Sequence, residues 1–356
     1  MPGSIPNIIL SLINTLVFIY SQVLMATNLY KTYNTIIKSI IIVVSIYFLY
    51  NQLFVKQDIS KLWANFSDIL SNNEYFWLFI ITLFAMPLNW SLEAYKWKYL
   101  LKDTEEISFP TALKAIFSGA TISAVSPNRT GDYLARVFVL RKTSFWHGVL
   151  ITVIGSYAQN IITLLFGGIA FFGLFAPQLV SNDIVSSNVL FYFKWAFFAL
   201  LTIGIVLYYR ISLLKNIVPQ SWPKTHKLVC NFMKFKFPKL TMVLIISSSR
   251  YLLYSLQYYL ILVVVGFSDL SVFTGLALIS SIFLLNTIRP SIALLEIGLR
   301  GSVAIFVFGL YYGFEADYQG AIFAASSIIW LINIVLPAII GLFFINNLKF
   351  FKKSKT

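Results

Sequence analysis

Apolar residues run in blocks along this chain, too long for strands and too numerous for a soluble helical core. Such blocks lie near Lys38–Val55, Phe76–Tyr95, Trp146–Phe175, Val189–Tyr209, Leu240–Gly266, Ala293–Gly313 and Gly320–Phe344. Most reach the roughly 20 residues a helix needs to cross a hydrocarbon layer. Two further blocks, Pro110–Val125 and Ser271–Leu285, are shorter. Lys56 to Tyr75 is mixed, with Leu62, Trp63, Phe66 and Ile69 at helical spacing, which suits a helix lying along the interface. The pattern predicts an all-α, polytopic helical membrane protein with about seven to nine membrane segments.

Composition agrees. Hydrophobic residues make up 58% of the 356 and charged residues 11%, with a mean hydropathy of +0.80. The longest polar connection, Arg210 to Lys239, is shorter than the roughly 50 residues of the smallest usual domain. Any chemistry is therefore expected within the membrane part. The single domain is placed at 38–346, after an N-terminal segment (1–37, either an extra span or a mis-assigned start with Met25 as the alternative) and before a basic tail (347–356).

The net charge of +14 is concentrated. Arg210, Lys215, Lys224, Lys227, Lys234, Lys236 and Lys239 share one connection that has no acidic residue, and Lys349, Lys352, Lys353 and Lys355 crowd the tail. The positive-inside rule makes both cytoplasmic and the protein a multi-pass component of the cell membrane. Basic residues that flank spans in this way argue against nucleic acid as the partner and for anionic lipid headgroups. Cys230 is the sole cysteine, and His147 and His226 match no ligand spacing, so neither a metal nor a cofactor is expected.

The same charge map constrains topology. Lys96, Lys98 and Lys102 favour one side, as do Arg141 and Lys142, so Pro110 to Leu140 must dip in and turn back. Pro177–Asn188, Gly266–Leu270 and Phe314–Gln319 carry acids without Lys or Arg and are expected outside. Ser271 to Gly313 must then also enter and return. Two short, Pro/Gly-interrupted segments in corresponding halves point to an internal repeat with a site near the midplane.

Charges inside those segments are the candidate chemistry. An ionisable group within a span costs roughly 2.5–3.5 kcal/mol on insertion scales, so it faces a partner or a cavity. Asp132 and Arg136 are four apart, as are Glu296 and Arg300, and each pair shares a helix face. Pro127 and Gly131 stand where a helix would begin, Arg129 precedes its first turn, and free amides there suit a phosphate. A solvated loop is the bland alternative for this stretch. Glu296 and Arg300 lie between apolar runs, with Pro290 and Gly298 as hinge candidates. Arg289 could serve the site or anchor at the interface. Glu93, beside Lys96 and Lys98, reads first as a span end at the interface, yet it is deep enough to reach a cavity and is a secondary site candidate. Gln159, Asn160, Gln257, Asn286 and Asn333 read as hydrogen-bonding glue between helices, whereas Arg250 stands apart as a secondary site candidate. No HExxH, Walker loop or GxSxG elbow occurs, and the chain is not expected to be an enzyme.

The stretch Pro127-Asn128-Arg129-Thr130-Gly131-Asp132…Arg136 resembles the Pro-x-Arg-x-Gly-acidic…Arg signature of the lysylphosphatidylglycerol synthase transmembrane, flippase-like family. Pro290 to Arg300 resembles that family's second element, and the likeness covers about Lys38 to Phe344. Asp132 stands where Glu is usual, and Gly301 stands where an acid is expected after Arg300. The resemblance implies a pseudo-symmetric membrane core that binds and flips lipids. Two-domain members add a cytoplasmic domain that loads an amino acid onto phosphatidylglycerol, and a chain ending at Thr356 would correspond to the membrane half alone.

The expected function is binding and translocation of a phospholipid or lipid-linked anionic intermediate. Arg129, Arg136 and Arg300 would hold its phosphate, with Asp132 and Glu296 orienting them. The alternative is a scaffold that binds lipid without moving it and recruits a separate cytoplasmic synthase or glycosyltransferase.

Overall fold

The computed structural model describes residues 73–126, 130–213, 235–288, 296–314 and 316–345, with isolated positions 36, 39, 40, 43 and 47. Apart from those positions, the N-terminal segment and the Lys38–Val55 block lie outside the described residues. So do the 56–72 stretch, the middle of the basic loop with Cys230 and His226, and the tail. Among the described residues helix is the only regular secondary structure.

The first half opens with α1 (Asn73–Leu101), which has Glu74 in its first turn and Lys98 in its last, as the helix dipole favours. Next is α2 (Phe109–Val125), where Ser108 Oγ accepts from the Thr111 amide and Pro110 occupies the first turn. A short α3 (Gly131–Val137) follows. Then α4 (Phe145–Ala170) continues through a π turn (Phe171–Phe175) into α5 (Ala176–Ser181), with Pro177 just after the turn. α6 (Ser187–Tyr209) lies against α4 and α7 and is largely exposed.

The second half repeats this frame. α7 (Phe237–Val264) has 28 residues against the 29 of α1, and α8 (Val272–Ile288) has the same 17 as α2. α9 (Glu296–Tyr312) follows. α10 (Ala316–Trp330) then runs through a second π turn (Leu331–Val335) into α11 (Leu336–Leu342), again with a proline, Pro337, just beyond it. Four described helical stretches are long and apolar enough to cross a membrane: Asn73–Leu101, Phe145–Ser181, Ser187–Tyr209 and Tyr318–Leu342. At 17 residues, α2, α8 and α9 span about 25 Å, short of a roughly 30 Å hydrocarbon core.

The halves interlock. α1 packs along α7, α2 on α11, and α8 on α4. Glycines permit the last two contacts. A Cβ on Gly167 would stand 2.8 Å from Leu284 Cβ and 3.0 Å from the Ser280 carbonyl, and one on Gly341 would collide with the Phe117 carbonyl. Thr121 Oγ1 then donates to the Ala338 carbonyl at 2.6 Å. Close backbone approach through small residues is the usual basis of helix association in lipid.

Two contacts fasten the ends of elements. Glu105, between α1 and α2, accepts from the amides of Arg141, Lys142 and Thr143 at 2.7, 2.8 and 2.7 Å, and from Thr143 Oγ1 at 2.8 Å. Burial raises this carboxyl, but those donors outweigh it and hold the group below its usual range. Lys239, in the first turn of α7, donates to the Leu100 carbonyl at 2.9 Å and pairs with Asp103 at 2.8 Å. It thus ties the end of α1 to the second half, rather than lying in a solvated basic loop.

Candidate functional site

A cavity of about 720 Å³ lies where the two halves meet. One wall is charged. Asn89, Trp90, Glu93 and Lys96 of α1 line it, with Asp132, Tyr133 and Arg136 of α3 and Arg250 and Tyr254 of α7. The other is neutral and polar. Ser156, Gln159 and Asn160 come from α4, Asn286 and Thr287 from the end of α8, and Asn333 from the second π turn. Arg300 of α9 completes the lining.

Glu93 is the centre of the charged wall. Its Oε1 lies 2.7 Å from Arg136 Nη1, and its Oε2 lies 2.7 Å from Lys96 Nζ and 2.8 Å from Arg250 Nη1. The carboxylate is 6% exposed and joins α1, α3 and α7. Arg136 also grips Asp132 through both carboxylate oxygens, with Nε to Oδ1 at 2.8 Å. A planar guanidinium can serve two carboxylates at once because its donors form a rigid fork. Arg250 donates further to the Asn89 carbonyl at 3.3 Å and to Gln159 Oε1 at 3.4 Å, and lies 5.8 Å from the Trp90 ring centroid. Trp90 in turn stacks on Phe117.

Local sequence explains how α3 reaches this wall. A Cβ on Gly131 would stand 2.6 Å from Ile122 Cγ2 and 2.7 Å from the Ile122 carbonyl, so α3 folds tightly back on α2. The Gly131 amide donates to Ser126 Oγ at 2.8 Å. On α2, a Cβ on Gly119 would collide with Asp132 Oδ1. Gly119 is therefore the seat of the Asp132 carboxylate.

Asp132 and Arg136 pair on α3 as their spacing predicts, and Arg136 is 5% exposed, which excludes the solvated-loop reading for it. Arg250 and Arg300 both reach the cavity. Pro127, Arg129, Arg289 and Pro290 lie outside the described residues. So does the Glu296 side chain, although Glu296 begins α9. Gly298 sits within α9, and an added Cβ there would meet open space.

Two readings need correction. Glu93 and Lys96 do not mark an interface: they are 4% and 1% exposed, at the core of the charged cluster, where the secondary candidacy of Glu93 and not the interfacial reading placed it. Gln159, Asn160, Asn286 and Asn333 are not only helix glue, because all four line the cavity. A signal in the sequence favoured the buried placement of Glu93 and Lys96. Asn89, Glu93 and Lys96 recur at steps of four and three, a polar stripe down one face of an apolar helix.

Long apolar helices around a cavity lined by paired buried charges define an integral membrane protein with a polar site between two halves. The profile of the family described as Lysylphosphatidylglycerol synthase TM region matches residues 35–341, and the chain belongs to that family. No curated protein matched the chain.

Proposed function

We propose that this protein binds the anionic headgroup of a phospholipid or lipid-linked intermediate in this cavity and carries it across the cell membrane. In this reading the basic loop and tail face the cytoplasm, where they gather anionic headgroups. The role is transport rather than chemistry. One observation carries the reading: arginines from both halves, the buried Arg136 and the partly buried Arg250, converge on a single carboxylate in a cavity of headgroup size. A phosphate entering there would exchange with Glu93 and Asp132 as the partner of those arginines, loosening a contact between the halves. Polar groups near the midplane at a repeat interface are the usual setting for alternating access.

The experiment is translocation of a headgroup-labelled lipid in proteoliposomes, comparing wild type with Arg136→Ala and Arg250→Ala. Both variants are expected to lose transport at least about tenfold while eluting as folded protein. Wild-type rates in both would refute the site, and absence of transport in the wild type across anionic and lipid-linked substrates would refute translocation.

A further inference from the structure

One cation on the charged wall differs in kind from the arginines beside it. Lys96 of α1 lines the cavity while only 1% exposed. Its stem passes Gly155 of α4, where an added Cβ would stand 3.7 Å from Lys96 Cε. Its ammonium lies 2.7 Å from Glu93 Oε2, and the same oxygen lies 2.8 Å from Arg250 Nη1. An ammonium carries three donors, yet among the described residues Nζ pairs with this one shared oxygen and makes no hydrogen bond of normal alignment. Buried donors call for acceptors.

The neighbours sharpen the point. The charges acting on Lys96 are Glu93 on its own helix, Arg250 of α7, and Arg136 of α3, which also holds Asp132. Tyr133 of α3, Tyr254 of α7 and Arg300 of α9 stand elsewhere on the lining. α2, α4 and the second π turn present only neutral groups to the cavity, among them Ser123, Gln159 and Asn333. One carboxylate thus serves three cations. Carboxylates gripped by arginine stay ionised, and like charges crowded around one anion favour loss of a proton from one of them. Arginine keeps its proton throughout the accessible range, whereas a buried lysine can become a neutral amine. Lys96 is therefore the member of this cluster suited to gain and lose a proton.

We propose that Lys96 is a proton-binding site through which the protein couples its anionic headgroup to one proton. This rests on the reading that the cavity carries such a headgroup across the membrane. In the empty cavity Nζ is a neutral amine that donates to Glu93. As the headgroup enters, a proton from water adds to the Nζ lone pair, and the ammonium offers its remaining donors to the phosphate. When the phosphate leaves on the other side, that N–H bond breaks and the proton returns to water there. A singly charged phosphodiester and one proton cross together without net charge, so the membrane potential does no work on the step.

The test is binding of phosphatidylglycerol, a phosphodiester whose own charge is fixed, to the full chain in nanodiscs. Affinity is expected to fall at least about fivefold between about pH 6.5 and 9.5, because a neutral Lys96 gives the phosphate one charge fewer. Binding at about pH 8 is expected to take up a proton from a weakly buffered medium, a measurement that needs no variant. Lys96→Arg fixes the charge and Lys96→Met removes it, so the affinity of each is expected to stay level with pH. In proteoliposomes an imposed pH gradient is expected to drive labelled lipid toward the alkaline side in the wild type and not in Lys96→Arg. A level affinity in the wild type, no proton uptake, or a pH dependence that survives Lys96→Arg each overturns the proposal alone. Wild-type transport that ignores the gradient also overturns it and leaves translocation standing. Proton uptake on binding without any transport upholds the proton site and overturns translocation only. Absence of binding at every pH overturns both.

Discussion

At the residue scale, Arg136 shows why an arginine and not a lysine occupies the site. Its fork holds Asp132 by two contacts and Glu93 by a third, which a lysine's single ammonium cannot reproduce in one geometry. Arg136→Lys is therefore expected to lower proteoliposome transport about as far as Arg136→Ala. Near-normal transport in the lysine variant would show that charge alone suffices. Gly119 gives a sharper test. Gly119→Ala places a methyl on the Asp132 carboxylate and is expected to cost transport. Added to Asp132→Ala it should cost little more, because the group it displaces is gone, and additive losses would contradict that coupling. The Asp132–Arg136 pair was legible from its spacing alone. Glu93 ranked only as a secondary candidate, because an acid near two lysines at a span end resembles an interface until α3 and α7 are placed against it.

At the element scale, the latch at Glu105 keeps the connection before α4 pinned to the end of α1. Glu105→Gln retains the shape but weakens the contact with three amides and a hydroxyl, with an expected loss of about 1–3 kcal/mol and a lower melting temperature. Its pH dependence follows from the lowered carboxyl. The contribution is whole above about pH 4.5, the ordinary value, and disappears as pH falls through the lower folded value. The melting-temperature gap between wild type and Glu105→Gln should thus stay constant from about pH 7 to 5.5 and close below about pH 4. A gap that widens in acid would contradict this assignment. The latch was invisible in sequence because its donors are backbone amides, which every residue type but proline supplies. The short helices, by contrast, were visible in the lengths of the apolar blocks, and α2 and α8 emerge as matched 17-residue elements.

At the scale of the whole molecule, a repeated frame lets both halves contribute charge to one cavity. Each half has a long helix, a 17-residue helix and a π turn followed by proline. Among the described residues the cavity charges come chiefly from α1 and α3, with Arg250 and Arg300 from the second half. Cross-packing of α2 on α11 and α8 on α4 brings them together. Overfilling that contact with Gly341→Val is expected to cost about 1–3 kcal/mol or more, read as a lower melting temperature in detergent. An unchanged value would remove the interlock from the account. The sequence by itself determined the membrane class, the helical repeat of long and short blocks, and the residues whose charge demands a partner. Those properties follow from hydropathy and from spacing within one helix, both local along the chain. Only the tertiary structure decided that Glu93 joins three helices, that Gly119 seats Asp132, and that amides read as glue form a cavity wall. Each depends on which faces of distant helices meet, and periodicity within a single helix does not contain that information.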